Sequence, residues 1–247
     1  DGANYAEALA MSLYFFDANE CGTEVDDNCL TWRGNCHTYD AEASLDSAAN
    51  LSSSEKAMIK EANGGSNTVD VSGGYHDAGD HIKFNVTMGF AASSLAMSYY
   101  MNPGAYEKAN CEGHFREVLK KTCDYLMKTT YLDNSGNVYA VCATVANSAD
   151  HDVTWEPPEK QTYDRPTYWL TASYNNSVTT ATMASALAGT AYVFKDVDAE
   201  YSAKCMKYSK ALYDFAKKYP DMQDTTSGLY RLTDTYIDDL ALAEVWF

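Results

Sequence analysis

Residues 71–84 read VSGGYHDAGDHIKF. Two carboxylates, Asp77 and Asp80, stand three apart around an Ala-Gly turn, a spacing that lets both point into one cavity. Such a pair can hold one water molecule, with one carboxylate orienting it and the other taking its proton. The plain alternatives are a cation-binding loop or a simple polar turn.

Outward from this run the periodic segments are helical. Tyr5, Leu9, Leu13 and Phe16 recur at spacings of four, four and three, which predicts one apolar stripe on a first helix. Met88 to Tyr100 is apolar and rich in Ala and Ser, as in a helix packed closely on its neighbours. Phe115, Val118, Leu119, Thr122 and Leu126 mark a third helix, and Val178 to Phe194 a fourth. Glu200 to Tyr219 is amphipathic and stops at Pro220, which cannot continue a helix comfortably. A sixth starts near Ile237 and reaches Val245-Trp246-Phe247 in mid-pattern with no cap, so the folded object is expected to contain more polypeptide than this. Asn137 to Val145 (NVYAVCATV) is the only plausible short strand.

Two connections are long. Residues 34–70 are polar, with Ser52 and Glu55 spaced as a capping box for a short helix. Residues 147–177 hold three of the five prolines together with Trp155, Tyr163, Tyr168 and Trp169. Loops of this length in a compact domain usually carry function.

Composition narrows the function. Among 247 residues, 18 Lys and Arg face 35 Asp and Glu, a net charge of −17. That balance argues against nucleic acid and anionic membrane as partners, because both need basic residues opposite them. Hydrophobic residues at 46% supply a large core and exclude disorder. No apolar run approaches the ~18 residues of a membrane span. Nothing at the amino end reads as a signal peptide, and the chain opens at Asp1 as a processed chain would.

Seven cysteines, none in a CxxC pair, favour a secreted protein with up to three disulfides. The alternative is buried thiols acting as small hydrophobes. A zinc site from Cys29, Cys36 and His37 is conceivable but poorly spaced. Asn50, Asn85 and Asn175 stand in glycosylation sequons, which fit secretion and also arise by chance.

The run from Val71 to Phe84 closely resembles the signature of family 9 glycoside hydrolases, cellulases built as an (α/α)6 barrel. Further elements follow in family order. Trp32-Arg33-Gly34 resembles the early WRG, and Asn147 to Glu159 the Asp-His loop followed by Trp and Pro. Asp164-Arg165-Pro166 resembles the RP element. Val193 to Asp196 with Tyr201-Ser202 resembles VFKDxDxxYS, and Tyr236 to Leu240 resembles YxDEL.

The resemblance implies that residues 1–247 are the amino-terminal part of a single (α/α)6 catalytic domain contributing about half its helices, with 35–69 as an insertion. It implies an endo-acting, inverting hydrolysis of β-1,4-glucosidic bonds in cellulose or related glucans. Asp80 is then the general base, Asp77 shares its water, and the acid is a Glu that this sequence does not contain. His151, Trp155 and Tyr230 are carried over as substrate contacts, along with Tyr75 and His76 of the signature run. The physics supports an indole here, since its flat face can cover the apolar side of a pyranose. Without the family, His151 and Trp155 read equally well as packed loop residues.

Asp234, Asp238 and Asp239 could ligate Ca²⁺ with the backbone carbonyl of Thr235; the resemblance implies calcium here with one further ligand from the missing half, although the family has Asp-Glu where Asp238-Asp239 stands. Acidic residues complementing a helix dipole would need no metal. No organic cofactor is implied. The partners are a β-glucan and the remaining half of the barrel. The rivals are a hydrolase of another β-linked polysaccharide and a non-catalytic glycan-binding relative.

Overall fold

The computed structural model describes residues 4–152, 155–232 and 234–247, with residues 151 and 152 described by backbone alone. Ten α-helices and six short strands follow one another among the described residues. The expected first helix is two, α1 (Tyr5–Ser12) and α2 (Tyr14–Asn19), broken at Leu13. Its stripe is only half used: Leu13 is buried whereas Tyr5 is exposed.

The segment 35–69 is structured. A 3-10 turn (Thr38–Glu42) precedes β1 (Ala43–Ser44), α3 (Ser53–Ala62) and β2 (Thr68–Val69), and β1 pairs antiparallel with β2. The Ser52 hydroxyl accepts from the Glu55 amide and the Glu55 carboxylate accepts from the Ser52 amide, so the capping box is formed. Leu45, Ile59, Val69 and Val71 share a core with Ala140, Cys142, Val145 and Trp169.

β3 (Lys83–Phe84) runs directly into α4 (Asn85–Met101), followed by α5 (Pro103–Lys108), α6 (Glu112–Lys128), β4 (Thr130–Leu132) and β5 (Val138–Val145). After α7 (Ala149–Asp152), β6 (Thr167–Thr171) interrupts what the sequence presents as one long loop. All three of β3, β4 and β6 pair antiparallel with β5, with Lys83 opposite Val145 and Thr167 opposite the same residue. The sheet escapes the sequence pattern because strands of two to five residues carry almost no periodicity of their own.

α8 (Ser177–Phe194) and α9 (Ala199–Lys218) are joined by residues 195–198 and pack along each other. Asn176 and Asp198 cap their amino ends, accepting from the amides of Thr179 and Tyr201. α4 and α10 (Ile237–Glu244) lie on other sides of α8, which is buried at 16 of its 18 positions. One core runs through α4, α6, α8 and α9. A helix buried on nearly every side and flanked by α4, α9 and α10 suits the inner layer of an (α/α)6 barrel.

Two expectations are corrected here. All seven cysteines are free thiols, and six are buried. Cys111 caps α6 twelve residues before Cys123, Cys142 and Cys205 sit on β5 and α9, and Cys123 for example donates to Thr190 Oγ1. The Asn85 and Asn175 sequons are also structural. Both side chains are fully buried, and the Asn85 amide donates to Thr129 Oγ1 and to the Cys142 carbonyl.

Candidate active site

The 71–84 run forms a loop closed at its base by one buried cation. Lys83 has no exposed surface, and its Nζ donates to the carbonyls of Val71 (2.5 Å) and Gly73 (3.1 Å). The same Nζ lies 2.8 Å from Asp40 Oδ2, and Arg165 Nε donates to Asp40 Oδ1 at 2.9 Å. Burial alone would raise the Asp40 carboxyl, but the two cations outweigh it and hold it below the usual carboxylate range. Gly74 has φ +75°, and a Cβ there would meet the Tyr125 ring at 2.8 Å, so only glycine fits this turn.

Beyond the base, successive residues face different sides. Tyr75 is buried in the main core, its ring edge-on to Phe16 and its amide donating to Met88 Sδ. It is a packing residue, not a wall of the cleft. His76 is buried as well and turns toward His37, with Nε2 3.1 Å from His37 Nδ1. Burial pushes its imidazole well below the ordinary value. Both border a small pocket with Phe15, Phe16 and Asp77 that is separate from the main cleft.

Asp77 and Asp80 remain half-buried around the turn, which the Asp77 amide closes by donating to the Ile82 carbonyl. The Tyr230 hydroxyl donates to Asp77 Oδ2 in a very short hydrogen bond. Burial, that bond, and the charges of Asp77 and Asp80 together push the phenol up, so it stays a neutral donor. A cleft of about 340 Å³ opens on the other side of Asp80, lined by Gly79, Asp80, His81, Asp150, Trp155, Glu156, Pro157 and Gln161. Trp155 is 88% exposed and lies over Gly79, where a Cβ would come within 3.2 Å of the indole. The His151 side chain lies outside the described residues.

Several supporting residues were not singled out from sequence. Gln161 Oε1 lies 2.8 Å from His37 Nε2 and 2.6 Å from His81 Nδ1, and Asp150 Oδ2 accepts from the His81 amide. Arg33 of the WRG run is buried and paired with Glu159 at 2.8 Å, tying the early loop to the cleft wall. Charged types beside the signature run were the available signal; the pairings themselves are non-local.

A second group of side chains could hold a metal ion. Cys21, Cys36, His37 and His76 are all buried, with their ligating atoms within 4.8 Å of one another. Hydrogen bonding from Cys21 is the main reason the Cys36 thiol sits low, at about 7. This two-sulfur, two-nitrogen set fits one tetrahedral cation of the zinc class, in a closed site that braces the signature loop through His76. Cys29 is not part of it.

The acidic residues near α10 are less gathered. Asp234 lies 3.2 Å from Arg231, and Thr235 Oγ1 accepts from the Ile237 amide. Asp239 accepts from Thr182, and burial with the neighbouring Asp238 charge pushes it up to about 6. Among the described residues, Asp234, Asp238 and Asp239 do not bring three carboxylate oxygens within 4.8 Å of one another.

The sequence model of glycosyl hydrolase family 9 matches residues 5–247. Endoglucanase B of Cellulomonas fimi is 31% identical over 98% of this chain, which spans 21% of that protein. Endoglucanase A of Bacillus pumilus is 29% identical, with 98% of this chain and 33% of that protein covered. Among solved structures, the catalytic domain of Clostridium thermocellum CelT superposes with a TM-score of 0.93 at 37% identity, covering 99% of this chain and 51% of that one. Cellulase Cel9M of C. cellulolyticum, in complex with cellobiose, superposes at 0.81 with 30% identity, covering 99% and 50%. The chain thus spans about half the length of these solved relatives and between a fifth and a third of the curated ones.

Proposed function

The chain belongs to glycosyl hydrolase family 9, and from that premise we propose that the whole protein cleaves internal β-1,4-glucosidic bonds of cellulose or a related β-glucan with inversion. The observation that carries this reading is the short bond from Tyr230 to Asp77, beside Asp80 and next to an exposed indole. A glycan-binding protein has no use for a fixed pair of carboxylates around one water position.

In this mechanism Trp155 supports a sugar ring over Gly79. The carboxylate of Asp80 takes a proton from a water molecule as that water attacks the anomeric carbon. Asp77 accepts the second hydrogen of the same water, and the Tyr230 hydroxyl holds Asp77 in that orientation. Inversion needs a carboxylic acid ~6.5–9.5 Å from the base to protonate the leaving oxygen. That acid belongs to the remaining half of the barrel, which pairs with this half in the whole protein. A polymeric substrate cannot enter a cell, so the enzyme acts outside it.

Asp80→Asn in the whole enzyme is expected to lower kcat by about 10²–10⁴ while cello-oligosaccharide binding persists. Wild-type turnover by that variant would remove Asp80 from the mechanism. Proton NMR of the first product should show the α-anomer; the β-anomer first would refute inversion. Ca²⁺ is a separable proposal. Asp234, Asp238 and Asp239, with the backbone carbonyl of Thr235, would hold it together with an oxygen from the rest of the barrel, since Ca²⁺ takes about six to eight oxygen ligands. A melting temperature indifferent to Ca²⁺ and to EGTA would reject it.

A further inference from the structure

On another side of the 20–36 loop, Asp17 of α2, Cys29 of the loop and His114 near the start of α6 converge. Their ligating atoms, Oδ2, Sγ and Nε2, lie within 4.8 Å of one another. Asp17 Oδ2 is 2.7 Å from His114 Nε2 and 3.5 Å from Cys29 Sγ. His114 Nε2 is shielded from solvent and meets the Asp17 carboxylate, so the imidazole and the thiol converge on one oxygen.

We propose that Asp17, Cys29 and His114 form a second binding site for a zinc-class divalent cation, with one oxygen, one sulfur and one nitrogen ligand and the fourth position open to solvent. Tetrahedral zinc with Zn–S of ~2.3 Å and Zn–O of ~2.1 Å places sulfur and oxygen ~3.6 Å apart. Cys29 and Asp17 already have that separation. The corresponding N···O edge is ~3.4 Å, so His114 and Asp17 part by ~0.7 Å, within reach of side-chain rotation. A thiolate and a carboxylate neutralise the two positive charges of the ion. Solvent reaches the site through Cys29, the exposed member of the set.

The arrangement does not suit a nucleophilic cysteine. That role needs an imidazole beside the sulfur, whereas here the carboxylate stands between them. Burial and the Asp17 charge push the Cys29 thiol up, and Glu117 adds to this. With Cys21 and Cys36 near the two ends of the loop, a cation at Cys29 clamps its middle to α2 and α6.

The test uses the full-length protein stripped with chelator, then titrated with Zn²⁺ or Co²⁺. Cys29 is the one exposed thiol among the seven cysteines of residues 1–247, and mass spectrometry of its own peptide reads its alkylation by iodoacetamide. Added Zn²⁺ is expected to slow its alkylation by roughly tenfold, and His114→Ala to abolish that protection. Cys29→Ala is expected to bind one Co²⁺ fewer than wild type and to keep the thiolate charge-transfer band of the Cys21–Cys36 site. Alkylation unaffected by Zn²⁺, or an unchanged Co²⁺ stoichiometry in Cys29→Ala, would overturn the proposal.

Discussion

Replacing Tyr230 by Phe removes the hydrogen donated to Asp77 and leaves the ring against Phe84. In the whole enzyme kcat should fall by about 10–10², with KM nearly unchanged, because the loss concerns the attacking water more than sugar binding. Wild-type kcat would show that Asp77 is held without it. The family resemblance picks out Asp77, Asp80, Trp155 and Tyr230, Trp155 despite one extra residue after His151, and the structure sets Tyr230 on Asp77 and Trp155 over Gly79. Tyr75 and His76 fall away from the main cleft, because a motif does not say which side of the chain each residue takes. In an extended stretch neighbours alternate, so Tyr75 enters the core while His76 turns to His37.

Among elements, the loop carrying the carboxylates depends on strand β3 and its buried lysine. Asp40→Asn leaves Lys83 and Arg165 without their counter-charge and should cost about 3–5 kcal/mol in urea unfolding. Because the folded carboxyl is held below its ordinary value, its contribution is complete above about pH 4 and fades as pH falls through the lowered value. The stability gap between wild type and Asp40→Asn should therefore narrow on acidification; a constant gap would exclude the charge as its cause. Where α4 crosses α8, a Cβ on Gly189 would come within 2.7 Å of Ala96 Cβ, so Gly189→Ala should cost about 1–3 kcal/mol. Equal denaturation midpoints would show that the crossing relaxes freely. The long helices were readable from their period of 3.6. The sheet around β5 was not, since its order is set by contacts between distant segments.

At the scale of the molecule, α4 and α8 are similarly apolar, yet α4 buries only 7 of its 17 residues. Phe90, Met101, Ile237 and Val245 stand exposed, which fits a surface covered by the rest of an (α/α)6 barrel. Residues 1–247 produced alone should bind a hydrophobic dye and self-associate on size exclusion. A dye-inert monomer would mean that this half is self-sufficient. The buried Asn85 has a practical bearing on production. A host that attaches glycans to nascent chains would meet the Asn85 sequon before the helix has docked, and the sugar could not then enter the space beside Thr129 and Cys142. Glycosylating hosts should accordingly give poor folded yields. Removing the acceptor by Asn85→Gln would be no neutral cure, because a longer side chain must find the same two partners. Thr87→Ala erases the tripeptide and leaves that amide in place.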